Sequence, residues 1–243
     1  MRKMRLDRLL ARSGVSRREA AALVKAGRVT VNGAPAADPA MAIDLDRDVV
    51  HLGGETVRTD KHFHVMINKP SGVLTATEDG RGQTVLDLLP RGWQSLGLGP
   101  VGRLDKDTTG LVILTTDGQL AHRLISPKWE QGKRYLARVE GRVTAEDARR
   151  MAEGIPLKDF TCKPAAMTIL EAGDGESLCE IVVTEGKYHQ VKRMFGALGH
   201  PVTALHRAAI AGVELDASLR PGDWRELTPE EKERLYTITE LEE

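Results

Sequence analysis

The segment GRLDKDTTGL occupies residues 102–111 and leads into the apolar run LVILTT at residues 111–116. Its first half concentrates charge between two glycines, at Arg103, Asp105, Lys106 and Asp107. This pattern predicts a loop that places a carboxylate at the mouth of the following strand. Taken alone, the loop also fits a charged surface turn in which Asp107 and Thr108 bond the local backbone.

Two other segments bear on this choice. NKPSG, at residues 68–72, follows a predicted strand, and its proline and glycine require a tight loop. EGKYHQVKRMF, at residues 185–195, passes from a strand into a helix whose apolar positions recur at helical spacing through Leu198. Tyr188 and Lys192 share a different face of that helix, one turn apart. This geometry could hold an ammonium near the loop carboxylate.

The first 35 residues predict a compact unit of two helices and a hairpin. Leu6, Leu9 and Leu10 follow helical spacing, and Gly14 can end that helix. Ser16 and Glu19 have the spacing of a capping box that starts a second helix. Alternation at residues 29–31 before an Asn-Gly pair then predicts the hairpin.

The rest of the chain predicts an α+β domain with a mixed or antiparallel sheet. Short β-type runs dominate, helical patterns interrupt them irregularly, and no regular βαβ alternation occurs. The predicted strands are 64–68, 111–115, 134–139, 166–170, 178–183 and 202–215, and the predicted helices lie near 118–125, 144–153 and 188–198. Residues 53–61 are polar and contain a Gly pair, which predicts a linker. We therefore expect one domain over residues 1–60 and another over residues 62–243.

The formal net charge is zero, but its distribution is uneven. Residues 1–35 are strongly basic, whereas residues 221–243 carry eight carboxylates against three basic side chains. A basic first domain suggests local anion binding, and a solvated helix face is the alternative. No stretch approaches the roughly 18 consecutive apolar residues of a membrane span. The two cysteines, Cys162 and Cys179, suggest neither a disulfide framework nor a multi-cysteine metal site, and we expect a cytoplasmic protein.

Several other functions find no support in the sequence. Gly97, Gly99 and Gly102 match the dinucleotide-binding spacing, but Pro100 lies inside the match and no apolar helix follows. The histidines lack compact metal-ligand spacing, so we expect ordinary surface or core histidines. Serine-hydrolase and zinc-protease motifs are also absent.

The three chemical segments together resemble the RsuA branch of the pseudouridine synthases. NKPSG matches the first motif of that family, GRLDKDTTGL its catalytic motif and EGKYHQVKRMF its third motif. Residues 5–33, RLDRLLARSGVSRREAAALVKAGRVTVNG, resemble the S4 RNA-binding module. The resemblance implies an S4-like domain followed by a pseudouridine synthase domain, which isomerises uridine without a redox cofactor or metal.

The resemblance also implies roles for individual residues. The essential aspartate of the family corresponds to Asp105, a nucleophile or stabiliser for the sugar carbon. Lys192 corresponds to its basic partner, with Lys187 and Arg193 as alternatives. Tyr135 corresponds to the tyrosine that stacks on uracil; an ordinary strand tyrosine is the alternative.

Further residues are expected to contact RNA. Arg103 could stabilise the position that a flipped uridine leaves, or could brace the loop through a salt bridge. The other predicted RNA contacts are Lys69, Lys187, Arg193, Arg5, Arg8, Arg17 and Arg18.

Within the branch, the motifs resemble most closely the enzyme that modifies uridine 516 of 16S rRNA. The implied partner is 16S rRNA or an assembling small ribosomal subunit, and we expect a monomer that binds no membrane. The alternatives are a 23S rRNA enzyme of the same branch, a non-catalytic assembly factor with an S4 module, and a hydrolytic nucleosidase.

Overall fold

A small mixed α/β unit precedes a larger one built on a broad sheet, in the computed structural model that describes residues 2–94 and 96–242. We call residues 2–60 the head and residues 62–242 the body. The strands and helices of the head are β1 (Lys3–Arg5), α1 (Leu6–Leu10), α2 (Arg17–Lys25), β2 (Val29–Val31), β3 (Ala34–Pro35), β4 (Ala42–Asp44), β5 (Val50–Leu52) and β6 (Glu55–Thr56).

The head forms as its sequence pattern predicts. Leu6, Leu9 and Leu10 are fully buried in the head's own apolar cluster. The Ser16 hydroxyl accepts from the Glu19 backbone N–H while the Glu19 carboxylate accepts from the Ser16 N–H, so the predicted capping box begins α2. β2 and β3 form the predicted hairpin, whereas the pairing of β1 with β4 was not predicted.

The linker is shorter than residues 53–61. Gly53 and Gly54 form a turn, β6 then pairs with β5, and Val57 is buried in the head's cluster. The polar composition that predicted a linker is that of an exposed hairpin tip, so the connecting segment begins after Val57.

The described elements of the body run from a strand, β7, to a helix, α7. Its strands are β7 (His64–Lys69), β8 (Gly99–Pro100), β9 (Thr109–Thr115), β10 (Lys133–Glu140), β11 (Ala166–Ala172), β12 (Glu176–Val183), β13 (Val202–Ile210), β14 (Val213–Glu214) and β15 (Trp224–Glu226). Its helices are α3 (Arg91–Gln94), α4 (Gly118–Ile125), α5 (Ala145–Glu153), α6 (Gln190–Ala197) and α7 (Pro229–Ile238). The predicted strand 202–215 is divided by a turn at Ala211 and Gly212, both with positive φ.

The strands of the body form a mixed sheet. Their order is β11-β12-β10-β13-β9-β7-β15, with β14 beside β13 and β8 beside β9. β9 and β13 run parallel, and the other pairings among the described strands are antiparallel. Apolar clusters pack on the sheet: a large one includes α5 and α6, and a second includes α4 and α7. The predicted α+β fold is therefore correct.

One glycine makes the parallel pairing possible. A Cβ on Gly110 would lie 2.4 Å from the backbone oxygen of Arg207, and Gly110 has a φ of +101°. A side chain there would separate β9 from β13 and strain the backbone. Because β9 follows the GRLDKDTTGL loop, this contact also fixes where that loop ends.

The head contacts the body through backbone as well as side chains. A Cβ on Gly92 in α3 would lie 2.3 Å from the Val15 carbonyl oxygen, so the two chain segments touch directly. Trp93 Nε1 of the body donates to the Arg12 carbonyl of the head at 3.0 Å. Within the head, the Arg12 guanidinium donates to the Asp60 carbonyl. Ala11 of the head is buried in the large cluster of the body. Among the described helices, none has the length and apolar character needed to cross a bilayer.

Candidate active site

The loop that carries Asp105 is tied to the preceding loop by hydrogen bonds. Thr75 Oγ1 donates to the Leu104 carbonyl at 3.0 Å and lies 3.2 Å from the Leu104 N–H, which it can accept. The Gly72 N–H donates to the Lys106 carbonyl at 2.8 Å. The backbone on both sides of Asp105 is thus fixed by the segment that begins with NKPSG.

Lys69 is the strut between these loops. It is completely buried, and its ammonium donates to the carbonyls of Pro70 at 2.9 Å, Lys106 at 3.1 Å and Thr108 at 2.7 Å. Burial lowers its pKa to about 8, and the nearby Asp107 and Asp105 oppose that effect. The prediction that Lys69 contacts RNA is corrected, because all three ammonium protons are used inside the protein.

Asp105 faces two side chains from the segment that begins α6. Its carboxylate is 27% exposed; Oδ2 lies 3.3 Å from Lys192 Nζ, and Oδ1 lies 3.4 Å from His189 Nε2. Val191, Met194 and Phe195 are buried on the opposite face, as the periodicity predicts, and this fixes the rotation of α6. The structure therefore brings Asp105 and Lys192 together.

Lys192 is shared between two carboxylates. Its ammonium donates to Asp107 Oδ1 at 2.6 Å in addition to facing Asp105. Burial alone would lower the pKa of Lys192, but the hydrogen bond to Asp107 and the attraction of Asp105 raise it above its ordinary value. The hydrogen bond from Lys192 lowers the pKa of Asp107. The ammonium therefore stays charged at neutral pH beside the carboxylate of Asp105.

The two alternative cations have other contacts. The guanidinium of Arg193 pairs with Asp159 and lies 5.1 Å from the centre of the Phe160 ring. Lys187 Nζ lies 5.4 Å from the same ring centre. Among the residues that the structure describes, Lys192 is the lysine or arginine that forms an ion pair with Asp105.

His189 was missed by the sequence prediction, which treated it as an ordinary histidine. It precedes α6 with a φ of +48°, in the left-handed region that a histidine seldom adopts. This backbone conformation turns the imidazole toward Asp105. The sequence could not have identified this contact, because it depends on the backbone turn at His189.

Tyr135 lies on β10 and is 8% exposed. It belongs to the same buried cluster as Leu104, which precedes Asp105, and as Val191 of α6. In the sheet it is directly opposite Arg207 of β13. The cluster thus connects the tyrosine to both segments that form the carboxylate–ammonium pair.

Arg103 is exposed and makes no hydrogen bond or ion pair with the residues that the structure describes. This favours the RNA contact over the bracing salt bridge, the two interpretations left open by the sequence. No group of three or more His, Cys, Asp or Glu side chains in residues 2–94 and 96–242 could hold a metal ion.

The four predicted RNA-contacting arginines of the head are exposed. Arg5 pairs with Asp7, and Arg8 donates to the Leu96 carbonyl at 3.3 Å across the junction with the body. Arg17 and Arg18 lie in the first turn of α2, where the helix dipole is positive and cations are unfavourable. Neither arginine forms an ion pair with the residues that the structure describes.

Family models match most of the chain. The model for RNA pseudouridylate synthase matches residues 63–197, and the model for the S4 domain matches residues 4–50. The first match alone covers more than half of the 243 residues. The chain belongs to the RNA pseudouridylate synthase family.

Relatives of this pseudouridine synthase match it along nearly its whole length. An uncharacterised RNA pseudouridine synthase of Bacillus subtilis is 46% identical over 230 residues, covering 94% of this chain and 96% of the relative. Ribosomal small subunit pseudouridine synthase A of Escherichia coli is 41% identical over 234 residues, covering 94% and 98%. A crystal structure of a pseudouridylate synthase superposes with a TM-score of 0.67 at 36% identity, covering 96% of this chain and 99% of the other. The predicted family, an RsuA-type isomerase with an S4 domain, is confirmed.

Proposed function

We propose that this pseudouridine synthase isomerises one uridine of small-subunit rRNA, with Asp105 as the catalytic carboxylate. The observation that carries the proposal is the 3.3 Å contact of Asp105 with Lys192, next to the buried apolar cluster that contains Tyr135 and Leu104. The Escherichia coli relative named for the small ribosomal subunit supports the substrate class.

The reaction needs a carboxylate beside the sugar. The C1′–N1 bond breaks, the uracil rotates, and C1′ joins C5; C5 loses a proton and N1 gains one. Atoms and electrons balance without an external reactant. An ionised Asp105 supplies negative charge to the electron-deficient sugar carbon, as nucleophile or as stabiliser.

Lys192 holds a positive charge 3.3 Å from the carboxylate of Asp105. An ammonium at this distance attracts the carboxylate and restricts its position. The ammonium is itself held by Asp107, so it does not need to follow Asp105 when the substrate enters. Its role is to fix the position of the catalytic group and to hold a positive charge beside it.

Tyr135 provides a surface for the target base. Its buried ring would stack on the uracil once the nucleotide leaves the RNA stack, and its hydroxyl would lie near the C5 proton. We expect Tyr135→Phe to retain base stacking and Tyr135→Leu to lose it.

RNA binding is distributed between head and body. Arg103 would contact the phosphate or the stack that the flipped uridine leaves, and Lys187 and Arg193 would contact the backbone near the cleft. We assign residues 1–60 to an RNA-binding domain, which would bind phosphates through Arg5, Arg8, Arg17 and Arg18. We assign residues 62–243 to the catalytic domain, and the whole chain would act as a monomer on 16S rRNA or an assembling subunit in the cytoplasm.

The target we propose is uridine 516 of 16S rRNA. In cells that lack this protein, carbodiimide treatment followed by primer extension should lose one stop in 16S rRNA. Wild type should restore that stop, Asp105→Asn should not, and Asp174→Asn, a matched change at an exposed aspartate 90% accessible in its side chain, should restore it. If the stop were lost in 23S rRNA instead, the substrate would be large-subunit rRNA.

Two results would refute the enzymatic proposal. If Asp105→Asn fully restored the primer-extension stop, Asp105 would not be the catalytic carboxylate. Release of free uracil, instead of an RNA of unchanged mass, would indicate a nucleosidase.

A further inference from the structure

An exposed aromatic pair lies beside the candidate catalytic carboxylate. Tyr188 is 76% exposed, more than the other exposed large hydrophobic side chains that the structure describes. Its ring stacks on His189 with centroids 3.8 Å apart and planes 17° apart. Since His189 covers one face of the ring, the high exposure leaves the opposite face accessible to a ligand.

The pair is connected to the reaction centre. His189 Nε2, on the imidazole under Tyr188, lies 3.4 Å from Asp105 Oδ1. A ligand stacked on Tyr188 would therefore be separated from Asp105 by two rings, those of Tyr188 and His189. This distance suits a nucleotide next to the target, not the target itself.

The backbone conformation that presents the pair is costly. His189 has a φ of +48°, and non-glycine residues in this region are strained and concentrate at functional sites. The His189 side chain makes no capping hydrogen bond to α6, so helix capping does not explain the conformation. What the conformation provides is the contact with Asp105 and the stack with Tyr188.

The charge around the pair fits RNA. Arg103, Lys106 and Lys187 are exposed, and Lys192 contacts the same Asp105 carboxylate as His189 does. An aromatic face bordered by cations matches a base whose flanking phosphates are negative. An apolar peptide would leave these cations without partners.

We propose that Tyr188 and His189 form a stacking platform for the base adjacent to the target uridine. The proposal deepens the function proposed above and rests on it. The adjacent base would stay stacked on Tyr188 while the target turns into the cleft, so the platform would replace part of the stacking lost on flipping. Tyr188 would act on binding and positioning, and His189 would set the distance from the platform to Asp105.

The test uses the full chain and a 16S rRNA fragment that the wild type modifies. Two further RNAs lack the base, but not the sugar and phosphate, immediately 5′ or 3′ of the target. Binding is measured with Asp105→Asn protein, so that no turnover occurs, and single-turnover rates are measured with Asp105 intact. Tyr188→Phe keeps the ring, Tyr188→Ala removes it, and Leu170→Ala, at an exposed apolar residue of β11, is the matched control.

We expect Tyr188→Ala to weaken RNA binding about tenfold to a hundredfold, and Tyr188→Phe and Leu170→Ala to leave it within about twofold. One of the two abasic RNAs should bind wild type and Tyr188→Ala equally well, because the base and the ring form one interaction. At saturating RNA, single-turnover rates should fall less than the affinity does.

The proposal is overturned if Tyr188→Ala binds as wild type does, or if its loss is undiminished with both abasic RNAs. Failure of the proposed function would look different, because the wild type would then leave the intact fragment unmodified. A loss of binding shared equally by Tyr188→Phe would also overturn stacking in favour of a hydroxyl contact.

Discussion

The ammonium of Lys192 lies 2.6 Å from Asp107 Oδ1 and 3.3 Å from Asp105 Oδ2, so its shorter contact is with the more exposed of the two carboxylates. The Asp107 side chain is 72% exposed and that of Asp105 27%. Asp107 thus holds the lysine in place, while Asp105 makes the longer contact. One carboxylate, Asp107, therefore holds Lys192, and the other, Asp105, is the one that the ammonium positions.

Replacing Lys192 tests this division. Lys192→Met should preserve folding and RNA affinity but lower the single-turnover rate by about a hundredfold or more, a size typical of losing one electrostatic group in an active site. The control is Arg142→Met, which removes an exposed cation paired with Asp174. A normal single-turnover rate in Lys192→Met would refute the assigned role.

Lys69 should be essential for stability, not for RNA affinity. Lys69→Met would leave the buried carbonyls of Pro70, Lys106 and Thr108 without their donor. At about 1 kcal/mol or more for each carbonyl, the free energy of unfolding should fall by about 3 kcal/mol. Urea unfolding measures this, with the exposed Lys106→Met as control; equal stability of the two variants would contradict the strut.

Gly110 should tolerate no side chain. Gly110→Ala would press a Cβ against the Arg207 backbone and strain a φ of +101°, so we expect a loss of more than about 2 kcal/mol of unfolding free energy. Gly196→Ala in α6 meets nothing within 4 Å and should stabilise the protein by about 0.5–1 kcal/mol. Thermal unfolding of the two variants should therefore shift in opposite directions.

His64 predicts a loss of stability in acid. Burial lowers its pKa from 6.5 to about 4 in the folded protein, so between these values the unfolded chain binds more protons. Stability should fall as the pH falls through this window, by about 2 kcal/mol from pH 7 to pH 5. His64→Gln cannot titrate and should show a shallower dependence in urea unfolding; an unchanged slope would contradict the prediction.

The head should control the salt dependence of RNA binding. Arg17→Gln and Arg18→Gln should each weaken binding and reduce the slope of log affinity against log salt by about 0.7–0.9 for every phosphate that is no longer neutralised. Binding isotherms at several salt concentrations measure the slope. Arg149→Gln, on the exposed face of α5, is the control and should leave the slope unchanged.

Local patterns predicted most of the fold. Helical spacing in α6, the capping box of α2 and the hairpin at Asn32-Gly33 depend on residues close in sequence, and each occurs as predicted. The pairing of β1 with β4 joins segments about 40 residues apart, and neither is long enough to show alternation. It could be found only from the tertiary structure.

The residues of the candidate site that belong to recognisable motifs were predicted. Those whose role depends on the path of the backbone in the folded protein were missed. Asp105 and Lys192 were assigned to one site by resemblance, and the structure places them together. Lysines are almost always exposed, so the burial of Lys69 depends on three carbonyls that converge only in the fold. His189 reaches Asp105 through a left-handed turn, for which a histidine gives no sequence signal.

The contact between Gly92 and the Val15 carbonyl bears on how such enzymes can be recombined. Because main chain contacts main chain there, a change of side-chain rotamer cannot accommodate a segment of different shape from another protein. A chimera that imports residues 1–60 from a relative would need that relative's 90–93 segment as well. Chimeras that exchange both segments should bind the RNA of the relative and modify it. Chimeras that exchange only residues 1–60 should have a head that packs poorly on the body.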